Sequence, residues 1–237
     1  MKFTPPLMEA RLIKRYKRFF ADVELPDGST LTLHCPNTGS MSHCLSIGQP
    51  CWYSLSDNPK RKLPGTLEIT TSTLGARVGV NTHRANALVE EAVMSGVIKE
   101  LAGYDQLRRE VRYGEEKSRI DLLLEKESQQ CFVEVKNVTL EQTGFHMQFP
   151  DAVTTRGTKH LRELMAMKQQ GHRAVLFFCV QHSEAVSVSP AWEIDTSYCN
   201  TLLQAIDQGV EVIAYGCALG ADEILIDRAL PFLPENP

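Results

Sequence analysis

Three charged side chains stand where two apolar runs of this 237-residue chain are expected to hold only aliphatic ones. Asp121 interrupts the first run in RIDLLLE, and Glu134 and Lys136 alternate with valines in CFVEVKNV. A strand that buries aliphatic side chains normally excludes ions, because an unpaired buried charge is very costly. The sequence therefore indicates that these three residues have a task other than packing.

Their types and spacing suit metal-dependent phosphodiester chemistry. Side chains alternate along a strand, so Glu134 and Lys136 share a face with Phe132. The short loop EKESQQ makes the two runs antiparallel neighbours, which is expected to bring Asp121 alongside Glu134. Carboxylate oxygens hold Mg²⁺ or Mn²⁺, which can polarise a phosphodiester, and a lysine can orient the attacking water. The alternative is a cross-strand salt bridge of Lys136 with either carboxylate, since Asp-(x)n-Glu-x-Lys is a short and common pattern.

A third carboxylate is predicted on the helix that precedes these strands. Apolar residues recur at helical spacing between His83 and Leu101, and Gly103 is the expected terminator. Winding this segment at about 100° per residue places Glu90 inside the apolar stripe and Glu91 on the polar side. Glu90 is therefore a candidate catalytic residue and metal ligand. The alternative is a glutamate at the edge of the stripe that extends to water.

Two groups of basic residues are candidates for binding nucleic acid. Arg156 and Lys159 lie at a predicted helix N-terminus, where backbone N–H groups and side-chain charge both favour a phosphate. The alternative there is a solvated first turn. The second group is interleaved with aromatic residues in one N-terminal strand and consists of Arg11, Lys14, Arg15, Lys17 and Arg18. Such a strand suits a groove for nucleic acid, and the alternative is an exposed edge that its charges protect from aggregation.

The N-terminal third of the sequence predicts a small β-barrel. An alternating basic and apolar segment turns at Pro26-Asp27-Gly28 and returns, which is a hairpin signal. GQPCWYSLSD and GTLEITTSTL supply further short strands, so residues 1–82 suggest a five-stranded oligonucleotide-binding (OB) barrel. The turn-rich stretch CPNTGSM is a weaker candidate for contacting phosphates through backbone amides.

Residues 83–237 predict an α/β domain with a central mixed sheet flanked by helices. The expected order of elements is αβββαβαββ, and helices and strands that alternate in this way pack in layers around one sheet. The chain as a whole is therefore predicted to be α+β, with the barrel first and the α/β domain second.

Net charge differs between the two predicted domains, and the cysteine pattern bears on the location of the protein. The net charge of −4 divides into +4 for residues 1–82 and −8 for residues 83–237, so the first part is the better candidate for binding a polyanion. The seven cysteines form no Cys-x-x-Cys pair, which is typical of buried thiols in a cytoplasmic protein rather than of a disulfide framework or a zinc ribbon. No apolar run suits a signal peptide or a membrane span, and no membrane partner is expected.

Six motifs resemble, in order along nearly the whole chain, those of the bacterial sugar fermentation stimulation protein A family: CPNTGSM, RANALVEEA, GYDQLRREVRYGEEKSRIDLLLE, CFVEVKNVTL, FPDAVTTRGTKHLREL and GHRAVLFFCVQ. The resemblance implies an N-terminal OB barrel and a C-terminal domain of the PD-(D/E)xK nuclease fold. It also implies DNA binding without sequence preference and a regulatory role in maltose metabolism.

The same resemblance implies roles for individual residues. The nuclease motif carries over onto Asp121 as the central metal ligand and onto Glu134 and Lys136 as the Glu-x-Lys pair. The helical acid of that superfamily corresponds to Glu90, or less well to Glu91. An isoleucine stands before the aspartate where the superfamily has proline, and this departure removes no ligand.

Three hypotheses about function follow. The leading one is a cytoplasmic DNA-binding protein whose second domain retains an Mg²⁺- or Mn²⁺-dependent phosphodiesterase site acting on single- or double-stranded DNA. The second is a non-catalytic DNA-binding regulator with a vestigial site, because fold and function separate readily. The third is a nuclease that processes RNA. The sequence leaves the substrate, any sequence preference and the oligomeric state open, and a dimer is among the states it allows.

Overall fold

The computed structural model describes residues 1–37, 39–41, 43–116 and 118–234. Within these residues the first part of the chain is a β-barrel. Its strands are β1 (Met8–Tyr16), β2 (Phe20–Glu24), β3 (Thr30–His34), β4 (Pro50–Leu55), β5 (Gly65–Thr71) and β6 (Arg77–Gly79). The strand order is β3-β2-β1-β4-β5-β6, and a further pairing of β3 with β5 closes β1 to β5 into the predicted five-stranded OB barrel.

The turns of the barrel show where the sequence prediction was correct and where it was incomplete. The expected turn at Pro26-Asp27-Gly28 joins β2 to β3, and Gly28 has a φ of 81° that favours glycine. The basic segment before it is two strands rather than one. Lys17 and Arg18, at φ values of 48° and 63°, form the tight turn between β1 and β2. Two successive residues with positive φ give a turn whose twist matches antiparallel strands.

The second part of the described chain is a mixed sheet with helices on both faces, as predicted. The strands are β7 (Gln106–Tyr113), β8 (Ser118–Lys126), β9 (Gln129–Val138), β12 (Arg173–Val180), β14 (Glu211–Leu219) and β15 (Ile224–Ala229). The sheet has the order β15-β14-β12-β9-β8-β7. The pairs β7–β8, β8–β9 and β14–β15 are antiparallel, and β9–β12 and β12–β14 are parallel.

Each face of this sheet has its own core. Helix α1 (Ala85–Met94) packs on one face with residues such as Leu122 and Val133, and this core continues into the barrel through Trp52. Helices α2 (Thr155–Gln169) and α3 (Thr196–Asp207) cover the other face. Because the two faces are both buried, β12 is apolar along almost its whole length rather than alternating.

Several elements differ from the sequence prediction. Helix α1 ends at Met94 instead of continuing to Leu101, because Gly96 takes a φ of 74° that ends the helix, and Val97 is exposed. The sequence suggests a helix around residues 200–207, and helix α3 begins at Thr196, four residues earlier. A small sheet was not predicted and is formed by β10 (Leu140–Glu141), β11 (His146–Phe149) and β13 (Ser187–Pro190). These strands are short, so they carry little periodic signal.

The barrel and the second sheet share contacts that join them closely. Arg84, just before α1, forms a salt bridge of 2.8 Å with Glu68 of β5. Val78 of β6 forms an isolated antiparallel bridge with His182. The first residues of the chain lie against the second sheet, where the Phe3 amide donates to the carbonyl of Asp222 at 2.8 Å. No helix in the described part of the chain is long and apolar enough to cross a membrane.

Candidate metal centre and nucleic-acid surface

Asp121 lies where strands β8 and β9 separate. The regular ladder between them ends at the pair Leu122–Val133, and one further step in the same register would place Asp121 opposite Glu134. Instead of a backbone partner, the amide of Val135 donates to Asp121 Oδ2 at 2.7 Å. The Asp121 carboxylate therefore takes the place of a backbone hydrogen bond between the two strands, and this contact fixes the position of the carboxylate on the sheet.

A change of face along the β7–β8 hairpin accompanies this separation. Leu122 belongs to the core under α1, whereas Ile120, two residues earlier, belongs to the core under α2. Regular alternation would put both on one face. The paired strand is irregular at the same level, because Glu110 has a φ of 54°, rare for a residue with a side chain. Asp121 thus occupies a local kink, the kind of irregularity that strands often carry beside functional sites.

Helix α1 supplies a second partner to Asp121. The Asn86 side chain donates from Nδ2 to Asp121 Oδ1 at 2.7 Å. Asn86 lies in the first turn of the helix, so the helix and the adjacent strand together hold both carboxylate oxygens. No signal in the sequence singled out this asparagine, since its role depends on how α1 packs on the sheet.

Glu134 is almost fully buried on the α2 face, in line with the expectation that it shares a face with Lys136 and Phe132. Its Oε1 accepts a hydrogen bond of 2.7 Å from Lys136 Nζ and is also in contact with Nδ1 of His160 on α2. Its Oε2 has no hydrogen-bond partner among the described residues. One oxygen of the carboxylate is therefore held by two groups while the other is buried and unsatisfied.

His160 connects Glu134 to the surface of α2. Its Nε2 lies 3.3 Å from Arg156 Nε, which donates to it, and its Nδ1 contacts Glu134. Both contacts are satisfied by the tautomer with its proton on Nδ1. Lys136 Nζ lies 3.1 Å from the same Nδ1. His160 stands four residues after Arg156, about one helical turn, and this spacing is the sequence signal that places the two side chains on one face of α2.

Burial opposes the ionisation of both acids, and the charge of Glu134 opposes the ionisation of Asp121. Burial raises the pKa of Asp121 above its ordinary value, and the negative charge of Glu134 raises it further, against the hydrogen bond from Val135. Burial also acts to raise the pKa of Glu134, but the charge of Lys136 and the contact with His160 hold it below its ordinary value. Burial and the charge of Glu134 likewise raise the pKa of Tyr113. The site thus has one acid held in its charged form and one that resists ionisation.

These donors fit a divalent cation of the Mg²⁺ type. Asp121 and the unsatisfied Oε2 of Glu134 are hard oxygen ligands, and Mg²⁺ is commonly bound through one or two carboxylates with water completing its shell. A cation would also relieve the repulsion between the two acids. Among the described residues no three His, Cys, Asp or Glu side chains converge as a complete protein-only metal site. The arrangement therefore suits a hydrated ion that shares its shell with a substrate.

Glu90 does not lie in the buried stripe where the sequence placed it. It is partly exposed, and its Oε2 accepts from Arg109 of β7 at 3.3 Å. Glu90 lies one helical turn after Asn86. The residue of α1 that contacts Asp121 is Asn86, in the first turn of the helix. Glu91 is exposed and pairs with the N-terminal amine at 2.9 Å. The role of Glu90 as a third metal ligand stays a prediction.

The two basic residues at the start of α2 lie near this site in different ways. Arg156 is exposed and contacts the ring of His160, which in turn contacts Glu134. Lys159 donates from Nζ to the carbonyl of Glu116 in the turn between β7 and β8. Arg156 thus reaches Glu134 only through His160, whereas Lys159 connects α2 to the β7–β8 hairpin.

The basic residues of the barrel also divide by what they contact. Arg15 donates to the carbonyls of Asn37 and Gly39, at 2.8 and 3.0 Å, and so holds the loop that contains CPNTGSM. Lys14 pairs with Asp22 at 3.4 Å, and Arg11 donates to the Gly48 carbonyl at 3.0 Å. Lys17 and Arg18 are exposed at the tip of the β1–β2 turn.

Aromatic rings lie beside this turn. The rings of Tyr16 and Phe20 stack with centroids 5.4 Å apart, and Phe19 is 45% exposed. Exposed aromatic rings next to free cations are what single-stranded nucleic acid requires for stacking and charge neutralisation. The tip of the turn therefore fits the predicted nucleic-acid surface better than the whole basic strand does.

The loop that contains CPNTGSM faces the second domain. A cavity of about 370 Å³ lies between this loop and the start of α2, and its lining includes Asn37, Asn137, Phe149 and Thr154. Gly39 approaches Asp151 so closely that a Cβ would meet its carboxylate. Thr38 of this stretch lies outside the described residues, as do residues 235–237 at the end of the predicted second domain.

Comparisons with known proteins agree with this architecture. Residues 83–223 match the family model described as the sugar fermentation stimulation protein RE domain, and residues 13–80 match the SfsA N-terminal OB domain. The chain is 58% identical over 230 residues to the sugar fermentation stimulation protein homolog of Saccharophagus degradans, covering 97% of this chain and 99% of that protein. It is 57% identical over 231 residues to the homolog of Teredinibacter turnerae, covering 98% and 99%.

A solved structure extends the similarity to three dimensions. The chain matches the structure of Pyrococcus furiosus SfsA in complex with Ca²⁺ with a TM-score of 0.86. The two sequences are 25% identical, and the match covers 98% of each chain. The barrel and the mixed sheet therefore have the same arrangement in both proteins.

Proposed function

The chain belongs to the sugar fermentation stimulation protein family, and from that premise we propose that it is a DNA-binding protein with a divalent-metal-dependent phosphodiesterase site in its second domain. The barrel binds the nucleic acid without sequence preference, and Asp121 and Glu134 hold Mg²⁺ or Mn²⁺. The Ca²⁺ complex of the Pyrococcus furiosus relative supports the use of a divalent ion by this fold.

The observation that carries this proposal is the buried, unsatisfied Oε2 of Glu134 close to the charge of Asp121. A buried acceptor without a donor costs about 1–3 kcal/mol, and a bound ion or water can remove that cost. Two acids that repel each other and one free acceptor together define a place for a cation. A structural salt bridge of Lys136 with Glu134 would need neither Asp121 nor the free oxygen.

The residues of the site have separate tasks in this proposal. A bound divalent ion supplies polarisation of the phosphodiester and lowers the pKa of a coordinated water. Asn86 and the Val135 amide fix the orientation of the Asp121 carboxylate. Lys136, which is only partly buried, places its ammonium at the edge of the carboxylate pair, where negative charge develops on the phosphate in the transition state.

His160 and Arg156 support the Glu134 carboxylate from helix α2. His160 holds Oε1 of Glu134 through Nδ1 and receives Arg156 at Nε2, so it positions the glutamate relative to the helix. Arg156 is exposed and is placed to contact a phosphate next to the scissile bond. Lys17, Arg18 and the rings beside them extend the contact to the rest of the strand. The seven free, buried thiols support a cytoplasmic location.

A second candidate function has an observation of its own. Glu90 is paired with Arg109, and the described residues supply no third acid or histidine to the metal. This favours a regulator that binds DNA, with or without an ion, and does not cut it. The family's name associates such a regulator with sugar fermentation, and maltose metabolism is the process that we propose for it.

The deciding experiment measures cleavage of supercoiled plasmid and of labelled single strands in Mg²⁺ or Mn²⁺. Wild type is compared with Asp121→Ala and Lys136→Ala, and with Arg162→Gln as a matched surface change on α2. We expect cleavage by wild type and Arg162→Gln, none above background by Asp121→Ala, and a rate about 10²–10³-fold lower for Lys136→Ala.

Equal cleavage by Asp121→Ala would remove the proposed site, and unchanged DNA binding without any cleavage would favour the regulator. Single-stranded RNA, single-stranded DNA and duplex DNA as competitors separate an RNA-processing enzyme from both. If backbone charge dominates binding, affinity falls steeply with salt. A flat salt response would remove the barrel's basic turn from the nucleic-acid surface.

A further inference from the structure

Two arginines next to the turn of the β7–β8 hairpin face each other directly. Arg112 and Arg119 are cross-strand partners in the antiparallel register, and both are exposed. Directly opposed side chains of an antiparallel pair lie on the same face and about 5 Å apart at Cβ. Like charges in this position destabilise the pairing, so the fold gains nothing from having arginine at both places.

The other arginines of this hairpin show what a structural role would look like. Arg108 pairs with Glu125 at 2.8 Å, and Arg109 pairs with Glu90 at 3.3 Å. In contrast, neither guanidinium of the opposed pair has a hydrogen bond or an ion pair with any residue that the structure describes. A carboxylate is available at Glu110, two residues before Arg112, but the described residues show no ion pair between them. The hairpin thus keeps two arginines unpaired beside arginines that are paired.

The two arginines of this pair lie near Asp121. Arg119 precedes Asp121 by two residues on β8, a separation of about 7 Å along a strand. The neighbours Tyr113 and Ile120 pack in the core under α2, so alternation directs the two arginines to the opposite face, on which α1 lies. Asp121 receives its hydrogen bond from α1 on this side. The guanidinium groups can therefore reach a strand whose phosphate is held at Asp121.

We propose that Arg112 and Arg119 form a phosphate clamp that binds the backbone of the nucleic-acid substrate next to the metal site. The clamp rests on the proposed function, and it adds a contact on the α1 side of the sheet to the contacts of Arg156 on the α2 side. Two planar guanidinium groups suit phosphate because each can donate two parallel hydrogen bonds to its oxygens. A bound phosphate would also remove the repulsion between the two arginines.

The test measures binding of a labelled oligonucleotide as a function of salt concentration in Ca²⁺, for the full chain. Arg112→Gln/Arg119→Gln is compared with wild type, with Arg108→Gln as the matched control on the same strand, and with Arg112→Lys/Arg119→Lys. Each lost phosphate contact lowers the slope of log affinity against log salt by about 0.7–0.9. We expect the double glutamine variant to lose about 1.5 units of slope and at least tenfold in affinity.

The controls separate a clamp from a general effect of charge. Arg108→Gln is expected to keep the wild-type slope, because its guanidinium is already held by Glu125. The double lysine variant is expected to keep most of the slope, since its charge is unchanged, but to bind severalfold more weakly. Equal loss of slope in Arg108→Gln, or an unchanged slope in the double glutamine variant, would overturn the clamp and leave the proposed function standing. Wild type that binds no oligonucleotide at any salt would overturn both.

Discussion

Glu68 in the barrel and Glu134 in the second domain are glutamates on strands, 1% and 2% exposed, and their surroundings are opposite. Glu68 is satisfied at both oxygens. Its Oε1 accepts from Ser54 and Arg84, each at 2.8 Å, and its Oε2 accepts from Asn81 at 2.8 Å and from Arg84 Nε at 3.2 Å. This carboxylate joins the barrel to the start of α1, and its hydrogen bonds leave no place for a ligand.

Glu134 has both of its partners on one oxygen and none on the other. A second acid, Asp121, is close enough that the charge of Glu134 raises its pKa. The comparison teaches that burial alone does not identify a functional carboxylate. What distinguishes the two residues is whether the fold completes their hydrogen bonding, because an incomplete set is costly unless a ligand completes it.

The largest effect expected from this contrast is on catalysis. Glu134→Gln keeps Oε1 as an acceptor for Lys136 and replaces the unsatisfied oxygen with a donor amide. We expect cleavage to fall by about 10³-fold, since the metal loses a charged ligand. The free energy of unfolding of the metal-free protein should fall by only about 1 kcal/mol, because the amide keeps an acceptor for Lys136 but loses the charge that Lys136 and His160 stabilise. Plasmid cleavage and urea unfolding in EDTA measure both, and a large loss of stability would make Glu134 a structural residue like Glu68.

The converse change concerns Glu68. Glu68→Ala removes the only carboxylate that pairs with Arg84 among the described residues and leaves donors unsatisfied. We expect the free energy of unfolding to fall by about 3 kcal/mol, as for a buried pair that loses one partner. The cleavage rate of the protein that remains folded should be unchanged. Urea unfolding followed by tryptophan fluorescence tests this, and loss of cleavage at full stability would contradict the assignment.

A smaller effect separates the two carboxylates by their response to metal. At a Mg²⁺ concentration 100 times its Kd, wild type should gain about 2.7 kcal/mol of stability, which corresponds to a rise in Tm of roughly 5 °C or more. Glu68→Gln should show the same rise, whereas Glu134→Gln should show none. Differential scanning calorimetry with and without Mg²⁺ measures this difference. Equal rises in both variants would place the metal elsewhere.

The smallest expected effect is a pH dependence that comes from Asp121. Because burial and the charge of Glu134 raise its pKa in the folded state, folding favours the protonated form. The metal-free wild type should therefore lose stability relative to Asp121→Asn as the pH rises from about 4 to 7. Saturating Mg²⁺ should abolish this slope. If the difference between the two proteins instead increased in favour of wild type with rising pH, the charged form would be the stabilised one.

Much of the fold could be predicted from local sequence signals. The turn at Pro26-Asp27-Gly28, the helix beginning at Thr155 and the change from short strands to mixed elements near residue 82 all depend on neighbouring residues. The end of α1 and the small sheet could not be predicted in this way. The apolar periodicity continues past Met94 although the helix does not, and strands of two to four residues are too short to show a pattern.

The candidate site was predictable for its charged residues and not for their partners. Asp121, Glu134 and Lys136 stand out because each interrupts an apolar run, and this is visible in the sequence itself. Asn86 does not stand out, because an asparagine in the first turn of a helix has no distinctive pattern, and Arg15 stands out only as one of several basic residues in its strand. Their contacts join segments that are distant along the chain, and only packing brings those segments together.

The sequence by itself determined which strands carry charge, that Glu134 and Lys136 share a face, and that the chain resembles a family with an OB barrel and a nuclease-like domain. These conclusions follow from alternation and motif, which are local properties. The tertiary structure alone decided that one oxygen of Glu134 lacks a donor, that Glu90 pairs with Arg109, and that the hairpin changes face at Asp121. Such facts depend on how separate elements pack, because a hydrogen bond forms only where packing brings a donor and an acceptor from two segments together.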